Sequence, residues 1–102
     1  MIKKILVLLI LYSSNIFSQN LMIKGKVSEV SGDEIKPLFG ANIYVMNSSK
    51  GTISDSNGKF QLVIENSKDF YLIASFVGYF PDTIKISKIE NVEFFLKPMQ
   101  LM

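Results

Sequence analysis

Residues 51–64 have the sequence GTISDSNGKFQLVI, which joins a turn signal to a strand pattern. Phe60, Leu62 and Ile64 alternate with the residues between them, the period of two that is typical of a strand with one buried face. The turn at residues 55–58 has a mechanism, because Asp bonds backbone two residues further on, while Asn and Gly tolerate positive φ. We therefore predict a hairpin, with a short strand before the turn and a longer one after it.

The same alternation continues on both sides of this stretch. From Met22 onward, no window of ten or more residues has apolar residues at the i, i+3, i+4, i+7 spacing of a helix. The alternation predicts further strands at residues 22–28, 41–46, 70–77, 83–86 and 92–97. The strand at 70–77 is apolar on both faces, as central strands are. Seven short strands separated by turns predict an all-β fold, a seven-stranded Greek-key β-sandwich.

The N-terminus has the pattern of a signal peptide at residues 1–18. Lys3 and Lys4 form its basic region, residues 5–12 are apolar, and Ser18 is the small residue before the cut. Eight apolar residues rise only about 12 Å as a helix, too short for a hydrocarbon core of about 30 Å. Without the two lysines the chain has nine Lys against nine acidic residues and is neutral.

The composition excludes most site chemistry. The chain has no Cys and no His, and all eleven basic residues are Lys. The usual zinc, haem and iron–sulfur ligands, the thiol nucleophile and the commonest general base are therefore missing, as is the arginine fork that nucleotide sites favour. We predict no enzyme activity, no catalytic residues, no metal, no cofactor and no nucleic-acid partner.

Two patterns leave functional alternatives open. The spacing Asp55-x-Asn57-Gly58 also begins calcium loops, which need a bidentate Glu at their twelfth position. That position is Asn66 here, and Glu65 lies one residue before it, so a plain turn is favoured. Five aromatic residues fall on outward or loop positions and could form a platform for sugars or a partner, or could pack against a neighbouring domain: Tyr44, Tyr71, Tyr79, Phe80 and Phe95.

Four pieces in order resemble a known family. They are IKGKV at residues 23–27, PLFGANIYV at 37–45, KGTISDSNGKF at 50–60 and LIASFVGY at 72–79. Together they resemble the carboxypeptidase-regulatory-like domain, a transthyretin-like or prealbumin-like sandwich. The resemblance covers residues 22–98 and leaves 99–102 as a tail.

The resemblance implies a structural motif whose residues are not reactive groups: Gly25, Gly40, Asp55, Asn57, Gly58, Phe60, Gly78 and Tyr79. Gly25 and Gly40 fit close backbone approach or an unusual turn, and Gly78 lets the chain leave the sheet edge at the Tyr79 corner. These are roles in folding and not in catalysis.

The resembled family is non-catalytic and exported. Its domains occur at the N-terminus of TonB-dependent outer-membrane receptors, in the periplasm or at the outer membrane, beside an adjoining domain or a protein partner. We therefore expect an accessory or interaction module of the bacterial cell envelope. The alternative is a small secreted carbohydrate- or peptide-binding module. A third hypothesis, a hydrolase, is suggested only by the word carboxypeptidase in the family's name. The sequence ends at Met102, which fits both a free-standing module and a piece of a longer receptor.

Overall fold

The fold is known from a computed structural model that describes residues 20–65, 69–87 and 91–99. Nine strands lie in these ranges: β1 (Asn20–Ser31), β2 (Glu34–Pro37), β3 (Asn42–Val45), β4 (Gly51–Ile53), β5 (Lys59–Glu65), β6 (Phe70–Ser75), β7 (Tyr79–Phe80), β8 (Asp82–Ile86) and β9 (Val92–Pro98). Within these three ranges we find no helix long and apolar enough to cross a membrane. The predicted signal peptide at 1–18 lies outside the described residues, as do residues 100–102 of the predicted tail.

A five-stranded sheet is built around the long strand β1. The first part of β1 pairs antiparallel with β5, and its last four residues pair antiparallel with β2. The other edge of β1 runs parallel to β9, with Gly25 beside Val92 and Glu29 beside Leu96. β7 pairs with the end of β9. The first and last described strands are therefore neighbours.

The second sheet has four antiparallel strands in the order β4-β3-β6-β8. The two sheets enclose one core, to which both contribute, together with Leu38 and Ala41 from the loop after β2. The buried apolar side chains are Ile23, Val27, Leu38, Ala41, Ile43, Phe60, Leu62, Ile64, Leu72, Ala74, Ile86, Val92, Phe94 and Leu96.

The predicted all-β sandwich is confirmed, and the alternation in the sequence has the expected physical origin. In β5, Phe60, Leu62 and Ile64 are buried, whereas the residues between and beside them are exposed. β9 has the same pattern. Because successive side chains of a strand point to opposite faces, one residue in two faces the core.

Two short strands were not among the seven predicted. β2 is exposed at all four positions, so it lacks the alternation of buried and exposed residues by which a strand is predicted. It pairs with β1 across a two-residue turn at Gly32 and Asp33, where Gly32 has the positive φ (62°) that tight hairpin turns use. β7 is only two residues long. Edge strands of this kind depend on pairing and not on a buried face.

The predicted strand at residues 70–77 is central in its sheet but ends earlier than expected. β6 lies between β3 and β8 and stops at Ser75. The N–H of Tyr79 then donates to the carbonyl of Phe76 (3.1 Å), and Val77 is 93% exposed at the tip of this turn. Val77, predicted as the last residue of the strand, therefore lies in a turn.

The predicted hairpin around residues 55–58 is wrong, although a turn is present. β4 pairs with β3 in the four-stranded sheet, whereas β5 pairs with β1 in the five-stranded sheet. The turn carries the chain from one sheet to the other. The sequence of the turn does not reveal this, because its hydrogen bonds are local and the partners of β4 and β5 lie far away along the chain.

Candidate interaction surfaces

The turn between the sheets is organised by Asp55. Its Oδ1 accepts from the N–H groups of Asn57 and Lys59, both at 2.9 Å. The N–H of Gly58 donates to the Asp55 carbonyl (2.8 Å), and Gly58 has a φ of +76°. A Cβ on Gly58 would also collide with the carbonyl oxygen of Val27. Asn57 has no positive φ, so the turn uses this tolerance only at Gly58.

Gly25 and Phe60 form a cross-strand pair in which the ring lies over the glycine. A Cβ on Gly25 would lie 2.5 Å from Cζ of Phe60 and would also collide with the carbonyl oxygen of Val92. The ring of Phe60 packs in turn against Phe94, with centroids 6.1 Å apart. Gly25 therefore makes room for an aromatic ring of the core.

Ser54 holds the loop before β3, a role that sequence reasoning missed. Its Oγ donates to the carbonyl of Leu38 (2.7 Å) and accepts from the N–H of Ala41 (2.9 Å). Its carbonyl accepts from the N–H of Gly40, which has a φ of +83°. Ser54 is almost fully buried. A serine after a short strand gives no distinguishing signal, because its partners lie more than ten residues away.

Tyr79 follows Gly78, which has a φ of +89°, and turns back toward the sandwich. Its ring packs against Phe76, with centroids 5.6 Å apart, and its hydroxyl donates to the carboxylate of Glu29 in β1. This bond raises the pKa of Tyr79, with desolvation and the charge of Glu29 acting in the same direction. Tyr79, one of the five aromatic residues expected on outward or loop positions, is thus half-buried at the end of a turn and is engaged by Phe76 and Glu29.

The calcium loop considered for residues 55–66 can be compared with the geometry of the turn and of β5. No group of three acidic side chains that could hold a metal ion occurs in residues 20–65, 69–87 or 91–99. The Oδ1 of Asp55 is already engaged by two backbone N–H groups. Glu65 lies six residues beyond Lys59 along the extended strand β5, a span of about 20 Å. The turn and Glu65 therefore cannot close a calcium loop.

The exposed aromatic residues do not form one platform. Tyr44 and Tyr71 lie on the outer face of the four-stranded sheet, where Tyr44 pairs across the strands with Ile73. Phe95 alternates with buried residues of β9 and so lies on the outer face of the other sheet. A sugar-binding platform made of Tyr44, Tyr71 and Phe95 together is excluded by this geometry.

The outer face of the four-stranded sheet carries exposed apolar side chains beside polar ones, among them Asn42, Ser75 and Lys85. Ile53, Tyr44, Met46 and Tyr71 are exposed there, and Ile53 is the most exposed of the four, at 61%. They come from three adjacent strands or their ends, so they form one surface across the sheet. Contiguous exposed apolar surface of this kind marks interaction sites in soluble domains.

A family model described as the CarboxypepD_reg-like domain matches residues 23–102. The chain belongs to this family. The resemblance read from the four sequence pieces is thereby confirmed. Three motif residues of this CarboxypepD_reg-like domain, Gly25, Asp55 and Phe60, line one depression beside the inter-sheet turn. Gly40 lies in the loop before β3, and Gly78 and Tyr79 form a separate corner.

A receptor is among the relatives of the domain. The chain is 34% identical over 94 residues to the TonB-dependent receptor SusC of Bacteroides thetaiotaomicron. The match covers 90% of this chain and 9% of that receptor. The chain thus spans about a tenth of the length of the relative that it matches.

Solved structures share the fold at low sequence identity. A type II cohesin–X-dockerin complex from Acetivibrio cellulolyticus matches with a TM-score of 0.62 and 12% identity, over 76% of this chain and 58% of that one. A minor pilin of Streptococcus agalactiae matches with a TM-score of 0.59 and 18% identity, over 83% of this chain and 47% of the pilin chain. At these identities the likeness concerns the β-sandwich fold alone.

Proposed function

We propose that this chain is a non-catalytic accessory module of the bacterial cell envelope, standing at the N-terminal side of a TonB-dependent receptor. The observation that carries the proposal is the 34% identity to such a receptor along 90% of the chain. An exported domain at this position lies on the periplasmic side of the outer membrane. The predicted signal peptide at residues 1–18 agrees with that route.

The chemistry of the core supports a scaffold. None of the buried side chains in the described part of the chain is ionisable, and the two buried polar residues are Ser28 and Ser54. Ser54 is committed to two backbone groups. Catalytic acids and bases are usually groups whose pKa is shifted by burial in a cleft. The raised pKa of Tyr79 has a structural origin, since its hydroxyl is bonded to Glu29 beside a packing contact with Phe76.

The exposed apolar side chains on the outer face of the four-stranded sheet form the surface that we assign to the adjoining receptor domain. Tyr44, Met46 and Tyr71 offer flat or flexible apolar side chains there. Aromatic residues and Met are enriched at protein interfaces. Covering this face would remove exposed apolar surface from water, which stabilises the docked arrangement.

Photocrosslinking in cells tests both the location and the surface. The native gene is expressed with a benzoyl-phenylalanine at Tyr71, and in a matched variant at Glu93, which lies exposed on the outer face of the other sheet. We expect the chain in the outer-membrane fraction, and a crosslink from position 71 to peptides of a receptor plug or barrel.

The Glu93 control should give no such adduct. Recovery of the chain in the cytosol, or equal crosslinking from both positions, would contradict the proposal. Peptidase activity that copurifies with the chain and is lost with it would contradict the non-catalytic part.

A further inference from the structure

β5 is the longest strand in the described part of the chain that pairs along one side only. It has seven residues and pairs with β1 along one side only. The other strands at sheet edges are shorter: β2 ends in Pro37, β4 has three residues, β7 has two, and β8 has five. A long open edge is a template for pairing with another strand.

The directions of the β5 backbone groups follow from one neighbouring hydrogen bond. The N–H of Val27 in β1 donates to the carbonyl of Gly58 (2.7 Å), just before β5 begins. Antiparallel partners alternate between bonded and non-bonded pairs. The backbone of Phe60, Leu62 and Ile64 therefore points toward β1, and that of the residues between them points to the open edge.

Asp55 covers the first of these open groups. Its N–H donates to the carbonyl of Lys59 (2.8 Å), and its carboxylate accepts from the Lys59 N–H (2.9 Å). Beyond it, the backbone groups of Gln61, Val63 and Glu65 have no partner among the residues that the structure describes. The open edge thus consists of three residues with outward-facing donors and acceptors.

The exposed side chains of β5 decide which strand fits this edge. They run Lys59, Gln61, Val63, Glu65, with a positive charge at one end, a negative charge at the other and an apolar residue between, 49% exposed. Neither charged residue is in an ion pair within the described ranges. This row is complementary to itself only when a second copy runs antiparallel.

We propose that two copies of this chain form a two-fold symmetric dimer by pairing β5 antiparallel with β5, centred on Val63. Val63 then faces Val63 of the second copy, and Gln61 faces Glu65 in a hydrogen-bonded pair on each side. Lys59 lies diagonal to Glu65 of the second copy, within reach of its long side chain. The five-stranded sheet continues across the axis, and the interface is isologous.

The register is tested by disulfide trapping, because the chain has no cysteine of its own. A hydrogen-bonded antiparallel pair has Cα atoms about 5.5 Å apart, inside the disulfide range of about 4.4–6.8 Å. Under mild oxidation of the exported full chain, Val63→Cys should give a covalent dimer. Gln61→Cys alone should not, but mixed with Glu65→Cys it should. Thr83→Cys, on the open edge of β8, is the matched control.

The charge complementarity is tested by reversal, with the dimer followed by sedimentation across a concentration series. Lys59→Glu and Glu65→Lys should each weaken dimerisation about tenfold, since two exposed pairs change sign. The double variant should restore the wild-type affinity, and a mixture of the two single variants should form a heterodimer. Circular dichroism verifies that each variant is folded.

A wild-type chain that remains monomeric at millimolar concentration would overturn the proposal. So would a dimer whose affinity is unchanged by either reversal, or one in which Thr83→Cys crosslinks as well as Val63→Cys.

Discussion

Gly25→Ala should destabilise the sandwich strongly for a change of one methyl group. The added Cβ would lie 2.5 Å from Cζ and 2.7 Å from Cε1 of Phe60, and it would collide with the carbonyl oxygen of Val92. Ordinary contacts of a Cβ begin at 3.4 Å. Phe60 is buried against Phe94 and cannot swing away without opening the core.

The magnitude follows from the two obstacles. Overpacking a core by one methyl group costs about 1–3 kcal/mol, and the backbone oxygen cannot be avoided by a change of rotamer. A gain of about 0.4–1 kcal/mol from the lower entropy of the unfolded chain offsets part of this. We expect a net loss of about 1–3 kcal/mol from a total of about 5–10 kcal/mol.

Urea unfolding followed by circular dichroism measures the loss. Lys26→Ala, at the next and exposed position of β1, is the control and should change the free energy of unfolding by less than about 0.5 kcal/mol. In the Gly25→Ala background, Phe60→Leu should cost less than it does alone, because a smaller side chain makes room for the new methyl. Equal stability of Gly25→Ala and the wild type, or additive single effects, would refute the reasoning.

Three further substitutions test the contacts described above, each by the same unfolding assay. Ser54→Ala leaves the N–H of Ala41 and the carbonyl of Leu38 without their partner, and it should cost about 1–3 kcal/mol; a cost below 0.5 kcal/mol would contradict this. Asp55→Ala should cost about 1 kcal/mol, since it removes two hydrogen bonds of an exposed turn, and Asp55→Asn, which keeps an acceptor, should cost less. Tyr79→Phe should make the free energy of unfolding fall less steeply at alkaline pH. Because the pKa of Tyr79 is raised in the folded state, the contribution of its hydroxyl to stability is present below pH 10 and is lost as the pH rises through the folded-state pKa. An unchanged pH profile would contradict the bond to Glu29.

The sequence predicts those parts of the fold that depend on a local period. The alternation of Phe60, Leu62 and Ile64 identifies both a strand and its buried face, because the core accepts one residue in two. The Asp55 turn is also predictable, since its bonds reach only two to four residues along the chain. The motif glycines are partly predictable from the sequence, because a backbone position with positive φ favours Gly.

Features that depend on distant contacts could not be predicted in this way. Whether residues 55–58 close a hairpin or join two sheets is decided by the partners of β4 and β5, which lie far away in sequence. The bond from Tyr79 to Glu29 spans fifty residues, and Ser54 acts on a loop more than ten residues before it. A single sequence shows neither the pairing nor the burial that results from it.

The parallel pairing of β1 with β9 has a mechanical consequence. Because the two strands run in the same direction, Asn20 and Pro98 lie toward opposite ends of the sandwich. A force that draws these two residues apart would slide β1 along β9 and strain their hydrogen bonds together. A pull at one end of a hairpin would instead open its bonds one after another. Tension applied between Asn20 and Pro98 would therefore load the β1–β9 hydrogen bonds in shear, and the domain should resist it more than tension that opens a hairpin.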